Sequence, residues 1–299
     1  MLIALTGASG FVGSHLAEAL HRAEHCVRAM VRPQSRREHI APFVAEWCEG
    51  DQADPQAQAA LVAGVDAVIH NSYDWHALQL SPLHNFEANV LASLRLLETS
   101  RLAGVRQFLF VSSVSVYHDI LQDRPLDECH PTWPNTIYGA AKAAVESHLI
   151  AYHHAYGMNT SAWRPAAIYG IPPDPRYAQW GDLIRAARLG GTIDTPHGGK
   201  ITHVRDVADA LTLALCDTAV AGQLYNLVDC YMYWQTAAEF AKELSGSPAT
   251  IVDRKGPGPK NRFDTRKAIE LFDRHGNHTA LRRGHGGVRE YVRELLSLL

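Results

Sequence analysis

The chain has 299 residues and a formal charge of −3, from 28 Lys and Arg against 31 Asp and Glu. That near-neutral balance gives no electrostatic reason to expect nucleic acid or an anionic membrane as a partner. A hydrophobic fraction of 46% with 20% charged residues excludes extended disorder, and the length fits two domains or one large α/β unit with a substantial core.

The first half alternates. Leu2–Thr6 is an apolar strand ending in a glycine-rich turn, and Phe11–Ala23 then has helical spacing, with Phe11, Leu16 and Leu20 apolar. Cys26–Val31 and the short Glu46–Cys48 read as strands, followed by helical Gln56–Ala63 and strand Ala67–His70. Asn85–Ala103 is an amphipathic helix, Gln107–Ser112 a strand, Ile137–Tyr156 a helix and Thr160–Arg164 a strand. Strand, helix, strand in repetition predicts an α/β fold: a doubly wound parallel sheet of Rossmann type with right-handed crossovers.

After Arg164 the composition shifts. Ile171-Pro172-Pro173-Asp174-Pro175 leaves the sheet as a loop, because proline lacks the donor that helix and central strand need. Gln179–Leu189 and Arg205–Cys216 read as helices and Tyr225–Val228 as a strand; Lys255–Pro259 is irregular, and Asp264 can cap a helix running to Phe272. The expected organisation is a dinucleotide-binding domain over 1–170, with 200–228 returning to it, and a smaller, less regular C-terminal substrate-binding cap over 171–199 and 229–299.

No apolar run approaches the roughly 18 residues of a membrane span, and the opening MLIALTGASGF lacks the charged start and cleavage site of a signal peptide. The five cysteines (Cys26, Cys48, Cys129, Cys216, Cys230) are odd in number and form no C-x-x-C, so a reducing cytoplasm is the expected location. Seventeen histidines include adjacent His153 and His154, but helix neighbours do not share a face and no H-E-x-x-H occurs, so no metal is assigned.

Thr6-Gly7-Ala8-Ser9-Gly10-Phe11-Val12-Gly13 joins the first strand to the first helix. Glycine permits the turn and the close approach of backbone to a pyrophosphate, which the helix N-terminus attracts. Gly13 lies inside the helix, where close helix–sheet packing is the usual reason for a glycine. A plain strand–helix turn is the bland reading; the spacing and context favour dinucleotide binding. Where NAD binders place a carboxylate, at the end of the second strand, this chain has Arg28-Ala29-Met30-Val31-Arg32-Pro33. Arg32 suits the 2′-phosphate of NADP, which is favoured over NAD; the other reading is a solvated loop with Arg32 stacked on adenine.

Tyr138 and Lys142 are four residues apart, on one helix face. A phenol with an ordinary pKa near 10 is a poor base, and a nearby ammonium or an oxidised nicotinamide lowers that value. About 0.2 such spacings arise by chance in a chain of this composition, so the motif is weak alone. Ser112 and Ser113 strengthen it, because they end a parallel strand where ligands gather and a hydroxyl can hold a substrate oxygen.

In this order, T-G-A-S-G-F-V-G, V-S-S-V-S-V-Y, Y-G-A-A-K, W-R-P-A-A-I-Y-G and H-V-R-D-V-A-D-A-L make the chain resemble the extended short-chain dehydrogenases/reductases, the NAD-dependent epimerase/dehydratase group. The resemblance covers nearly the whole chain, densely to about Val228. It implies Ser113, Tyr138 and Lys142 as the catalytic set, with the 25-residue separation of Ser113 from Tyr138 preferring it to Ser112. It further implies pyrophosphate contacts at Gly7, Gly10, Phe11 and Val12, with Gly13, Tyr138 and Lys142 also among the cofactor-binding residues, adenine contact at Asp51, a supporting Asn89, a nicotinamide wall at Pro165, and a homodimer through the two long helices. Three departures stand out. Ser113-Val114-Ser115 replaces the Thr-Asp-Glu of 4,6-dehydratases, which argues against water elimination. Ala166-Ala167 replaces the Asn that contacts diphosphate in many nucleotide-sugar epimerases, and His70-Asn71-Ser72-Tyr73 puts polar groups beside the cofactor.

Three functions follow for a small-molecule substrate. The favoured one is hydride transfer between nicotinamide and a carbonyl or secondary alcohol carbon, with Tyr138 as acid/base. The second is a sugar or nucleotide-sugar epimerase with a resident NAD; the third is a non-catalytic dinucleotide sensor, against which an intact Ser-Tyr-Lys set argues. Trp75, Tyr177, Trp180, Tyr231, Tyr233 and Trp234 either line a pocket for an apolar or ring-bearing ligand or pack the core, and the sequence favours neither.

Overall fold

A computed structural model describes residues 1–259 and 261–299. Strands and helices alternate through the first half: β1 (Leu2–Thr6), α1 (Phe11–Arg22), β2 (Cys26–Val31), β3 (Glu46–Glu49), α2 (Pro55–Val62), β4 (Ala67–His70), α3 (Trp75–Leu80), α4 (Pro82–Asn85), α5 (Ala92–Leu102), β5 (Gln107–Val111), α6 (Ile137–Tyr156) and β6 (Asn159–Pro165). The second half runs β7 (Ala167–Tyr169), α7 (Gly181–Arg188), β8 (Thr192–Asp194), β9 (Gly198–His203), α8 (Val204–Leu213), β10 (Gln223–Leu227), β11 (Cys230–Tyr233), α9 (Gln235–Ser245), β12 (Thr250–Val252), α10 (Arg266–Arg274) and α11 (Gly284–Leu298).

Seven strands form one parallel sheet in the order β10-β6-β5-β4-β1-β2-β3. Side chains alternate across it, as the two-residue period of a strand requires. Ile3, Leu5, Ile69, Leu109 and Val111 enter one core, under α1, α8 and α10. Ala4, Val68, Phe108 and Phe110 enter the other, under α2, α5 and α6. Burial on both faces explains why these strands read as continuous apolar runs. The chain winds outward from β1 through β2 to β3, then restarts on the other side of β1 with β4. That reversal opens a crevice at the carboxyl ends of β1 and β4.

The helix expected over Asn85–Ala103 begins a turn earlier, where Ser81 caps Pro82–Asn85 by accepting from the His84 amide, and it passes through a wide π turn at Phe86–Leu91. Helix α6 matches its expected bounds for visible reasons: Thr136 Oγ1 accepts from the Gly139 amide at 3.0 Å, and Gly157 ends it in the left-handed region with φ 66°.

A three-stranded sheet, β11-β9-β7, and a two-stranded one, β12-β8, build the smaller layer with α7, α9 and α11 around Tyr169, Trp180, Met232 and Tyr291. Strand β9 lies in this layer, and the chain returns to the large sheet with α8 and β10. Helix α10 packs on α8 and β10 and lends Ala268, Leu271 and Phe272 to the first core. Asp264 accepts from the Arg266 amide at the start of α10. No helix among the described residues is long and apolar enough to cross a membrane.

Candidate active site

The crevice holds a cleft of about 600 Å³. Its floor is the loop after β1. Gly7 has φ +67°, and a Cβ there would sit 3.0 Å from the Ser72 backbone. Gly13 does not line the cleft; a Cβ on it would lie 2.0 Å from the Gly7 carbonyl oxygen, so it seats α1 under the loop. Gly7, Gly10, Phe11 and Val12 do line it, and no side chain caps the first turn of α1. Its unpaired amides and positive dipole end therefore face the cleft, and these residues fit the pyrophosphate of a dinucleotide.

Arg32, Ser35 and Asp51 also line the cleft. The three arginines after β2 have separate fates. Arg37 pairs with Glu49 at 2.7 Å and Arg36 reaches Asp174 at 3.9 Å, whereas Arg32 is exposed on the cleft without an ion-pair partner among the described residues. Asp51 Oδ1 accepts from the Ala53 amide at 2.9 Å, which holds its turn at the rim.

The segment after β4 is fixed by a network of polar groups. Thr6 Oγ1 accepts from the amides of Asn71 and Ser72 at 3.0 and 3.1 Å. His70 bridges Thr6 and Ser93 at 2.8 and 2.7 Å through its two ring nitrogens. It is fully buried, and desolvation pulls its pKa down to about 3, with the Lys142 charge acting in the same direction. Gln52 donates to the Ala88 carbonyl at 2.8 Å and accepts from the Ser72 hydroxyl. The Asn89 side chain accepts from the Asp74 amide at 2.6 Å and donates to the Asp74 carbonyl at 3.0 Å.

Ser113, Tyr138 and Lys142 line the same cleft, as do Pro165, Ala166 and Ile168. Ser113 Oγ donates to the Ser115 hydroxyl and accepts from the Ser115 amide, both at 3.1 Å, and it stands on the cleft with the Tyr138 phenol. Lys142 is buried, donates to the Val111 carbonyl at 2.7 Å, and lies 4.5 Å from the Phe110 ring centre. Burial draws its pKa down to about 7, opposed by Glu146. The expected lowering of the Tyr138 phenol is not what the geometry gives. Desolvation pushes it above the ordinary value, opposed by the nearby Ser113 hydroxyl, because the ammonium is turned to Val111 and lies 5.8 Å from the phenol ring centre.

Ser112 faces the other way: its hydroxyl donates to Glu146, two turns along α6 from Tyr138. Of the six aromatic residues singled out, Trp75 lines the cleft, while Trp180 is buried and Trp234 packs against the core of the smaller layer. Tyr177 is largely exposed, and Tyr231 and Tyr233 pack edge to face. Tyr73, expected beside the cofactor, lines the cleft as well, and His76 and Gln52 are cleft residues that the sequence did not point to. Asp74, an N-cap accepting from the His76 and Ala77 amides, was the available signal for the six-residue α3 that carries Trp75 and His76. Among the described residues no three His, Cys, Asp or Glu side chains gather as metal ligands would.

The profile of the NAD dependent epimerase/dehydratase family matches residues 3–227. A UDP-glucose 4-epimerase of Corynebacterium glutamicum is 26% identical, over 94% of this chain and 93% of its own. A 4-hydroxy-2-methyl-3-oxo-4-farnesyl-3,4-dihydroquinoline-1-oxide ketoreductase of Stigmatella aurantiaca is 28% identical, over 75% of this chain and 67% of its own. The crystal structure of a UDP-glucose 4-epimerase with UDP-glucose from Thermotoga maritima superposes with a TM-score of 0.80, covering 99% of this chain and all of that one, at 24% identity, a likeness of fold.

Proposed function

Since the chain belongs to the NAD dependent epimerase/dehydratase family, we propose that it is an oxidoreductase acting between a nicotinamide dinucleotide, NADP in preference to NAD, and a carbonyl or secondary alcohol carbon of a small molecule. The observation that carries this reading is the meeting of Tyr138 and Ser113 with Lys142, one turn along α6 from Tyr138, on a cleft floored by the glycine loop.

In reduction, hydride from the dinucleotide and the phenol proton add across the C=O bond, giving the alcohol and the oxidised dinucleotide. The chain's own residues do the rest. Ser113 holds the carbonyl oxygen, and Tyr138, kept protonated by its buried setting, hands it a proton. Lys142 sits beneath the phenol as the source of positive charge that steadies the resulting phenolate. Arg32, exposed on the cleft, supports the NADP preference through a charge-assisted contact to a 2′-phosphate.

Epimerisation on a resident NAD is the second reading, which the Corynebacterium relative favours. Two steps separate them. Protein purified without added cofactor is denatured and any released dinucleotide identified; stoichiometric NAD supports the epimerase, whereas an empty site that titrates preferentially with NADPH supports the reductase. Tyr138→Phe then abolishes turnover with cofactor affinity largely intact, and full residual activity would remove Tyr138 from its role.

A further inference from the structure

We propose that Trp75 is a stacking platform for substrate, and that the site takes an uncharged carbonyl compound with a flat apolar ring next to the reacting carbon. This rests on the oxidoreductase reading above and narrows its substrate.

Trp75 opens α3 on the cleft wall and leaves 57% of its surface exposed. A large apolar ring exposed inside a concave site is an unsatisfied surface that a ligand can cover. The ring is next to the reacting group: Trp75 and Tyr138 stack with centroids 4.9 Å apart and planes 23° apart. Tyr73 closes the trio edge to face, 4.8 Å from Trp75 and 4.9 Å from Tyr138.

The platform is held in place before any ligand arrives. Asp74 caps α3, the Asn89 side chain grips both the amide and the carbonyl of Asp74, and Tyr73 donates to Asn85 at 2.6 Å. Asn89 also donates to Asn85 at 3.0 Å, which ties these grips into one network. A preformed aromatic surface loses little conformational freedom on binding.

Charge argues for a neutral ligand. Among the described residues of the cleft wall the only Lys or Arg side chains are Arg32, just after β2, and Lys142, which is buried and committed to the Val111 carbonyl. Ala166 and Ile168, which also line the cleft, offer methyl groups and no side-chain donor. An anionic diphosphate would be desolvated there without a partner.

The test compares acetophenone, cyclohexyl methyl ketone and UDP-glucose, by calorimetry, on protein saturated with oxidised dinucleotide so that nothing turns over. Wild type, Trp75→Ala and Trp75→Phe are measured, each first shown to bind the dinucleotide as wild type does. Acetophenone is expected to bind roughly tenfold tighter than its saturated analogue, to lose about that factor in Trp75→Ala, and to keep most of it in Trp75→Phe. Equal binding of the two ketones, or unchanged acetophenone binding in Trp75→Ala, overturns the proposal, as does tight binding of UDP-glucose alone. Oxidation of NADPH at 340 nm by the ketones separates the two claims. Trp75-dependent binding without hydride transfer supports the platform and removes the reductase. Turnover that ignores the ring and Trp75 supports the reductase and removes the platform.

Discussion

Glu146 and Arg164 form a two-pronged ion pair behind the cleft, the guanidinium Nε and Nη2 lying 2.9 and 2.7 Å from the two carboxylate oxygens. Both side chains are almost wholly buried. Because Ser112 donates to the same carboxylate, the pair ties together the ends of β5 and β6 and the third turn of α6. Ser113, Pro165 and Lys142 are each one step along the chain or one helical turn from it. Arg164 also donates to Tyr117, which donates in turn to Asn226 at 3.2 Å on β10.

Removing one member leaves the other charge buried alone. Glu146→Leu or Arg164→Met is therefore expected to cost about 3–5 kcal/mol of stability, and the double variant less than either single one. Thermal scans of the three variants check this. Single-variant losses below about 1 kcal/mol would show that water reaches the pair.

Gly13→Ala puts a methyl group where the Gly7 carbonyl oxygen stands, with backbone rather than a flexible side chain in the way. The glycine loop must lift, so NADPH affinity is expected to fall at least tenfold, read from cofactor fluorescence. Gly286→Ala in α11, where a Cβ meets open space, serves as the control and is expected to be neutral or slightly stabilising. Wild-type affinity in Gly13→Ala would contradict the seating of α1 described above.

His70 gives the chain an acid-sensitive element. Its folded pKa, about 3, lies below the ordinary 6.5, so between those values the unfolded chain binds more protons than the folded one. Stability therefore rises with pH across that window and is lost as pH falls through it. His203, also drawn to about 3 by burial with neighbouring arginines adding to the effect, acts in the same sense. Melting temperatures from pH 7 to pH 4 are expected to fall, and less steeply in His70→Gln. A slope unchanged by His70→Gln would assign the acid limb to other groups.

Arg32→Ala is expected to weaken NADP about tenfold while leaving NAD within about twofold, since a lost charge-assisted contact to the 2′-phosphate is worth about 1.5 kcal/mol or more. Arg37→Ala, which removes a side chain already paired with Glu49, leaves the ratio unchanged. Equal losses for both dinucleotides in Arg32→Ala would end the NADP preference.

The large sheet was legible because each central strand is a short apolar run followed by a helix with a 3.6-residue period, and Thr136 and Gly157 mark the ends of α6 in plain sight. The small layer was legible only in part, since α7 falls inside the helix expected over Gln179–Leu189 but the strands carried no signal. Strands of three residues such as β7, β8 and β12 are too short to carry a period, and they are set by pairing across the chain, as in Thr192 to Asp194 against Thr250 to Val252. Helix α9 buries Gln235 and Thr236 at its start, and its apolar stripe of Ala237, Phe240, Ala241 and Leu244 is short and half alanine. At the site, the motif residues were visible as letters, but Trp75 on Tyr138 and Glu146 on Arg164 are contacts between distant segments. The rise of the Tyr138 pKa was hidden for the same reason, since it depends on what covers the phenol.

The placement of β10 has a consequence for biosynthesis. Strand β6 ends at Pro165 and its outer neighbour begins at Gln223, so 57 residues lie between them (223 − 165 − 1). A ribosome adding about 5–20 residues per second leaves that edge bare for roughly 3–11 s after β6 emerges. Trp163 waits over the same interval for Tyr225, against which it stacks at 4.3 Å with planes 7° apart. A transcript cut short before Gln223 would release a nascent sheet with an open, apolar margin, a template for aggregation and a mark for chaperones and proteases.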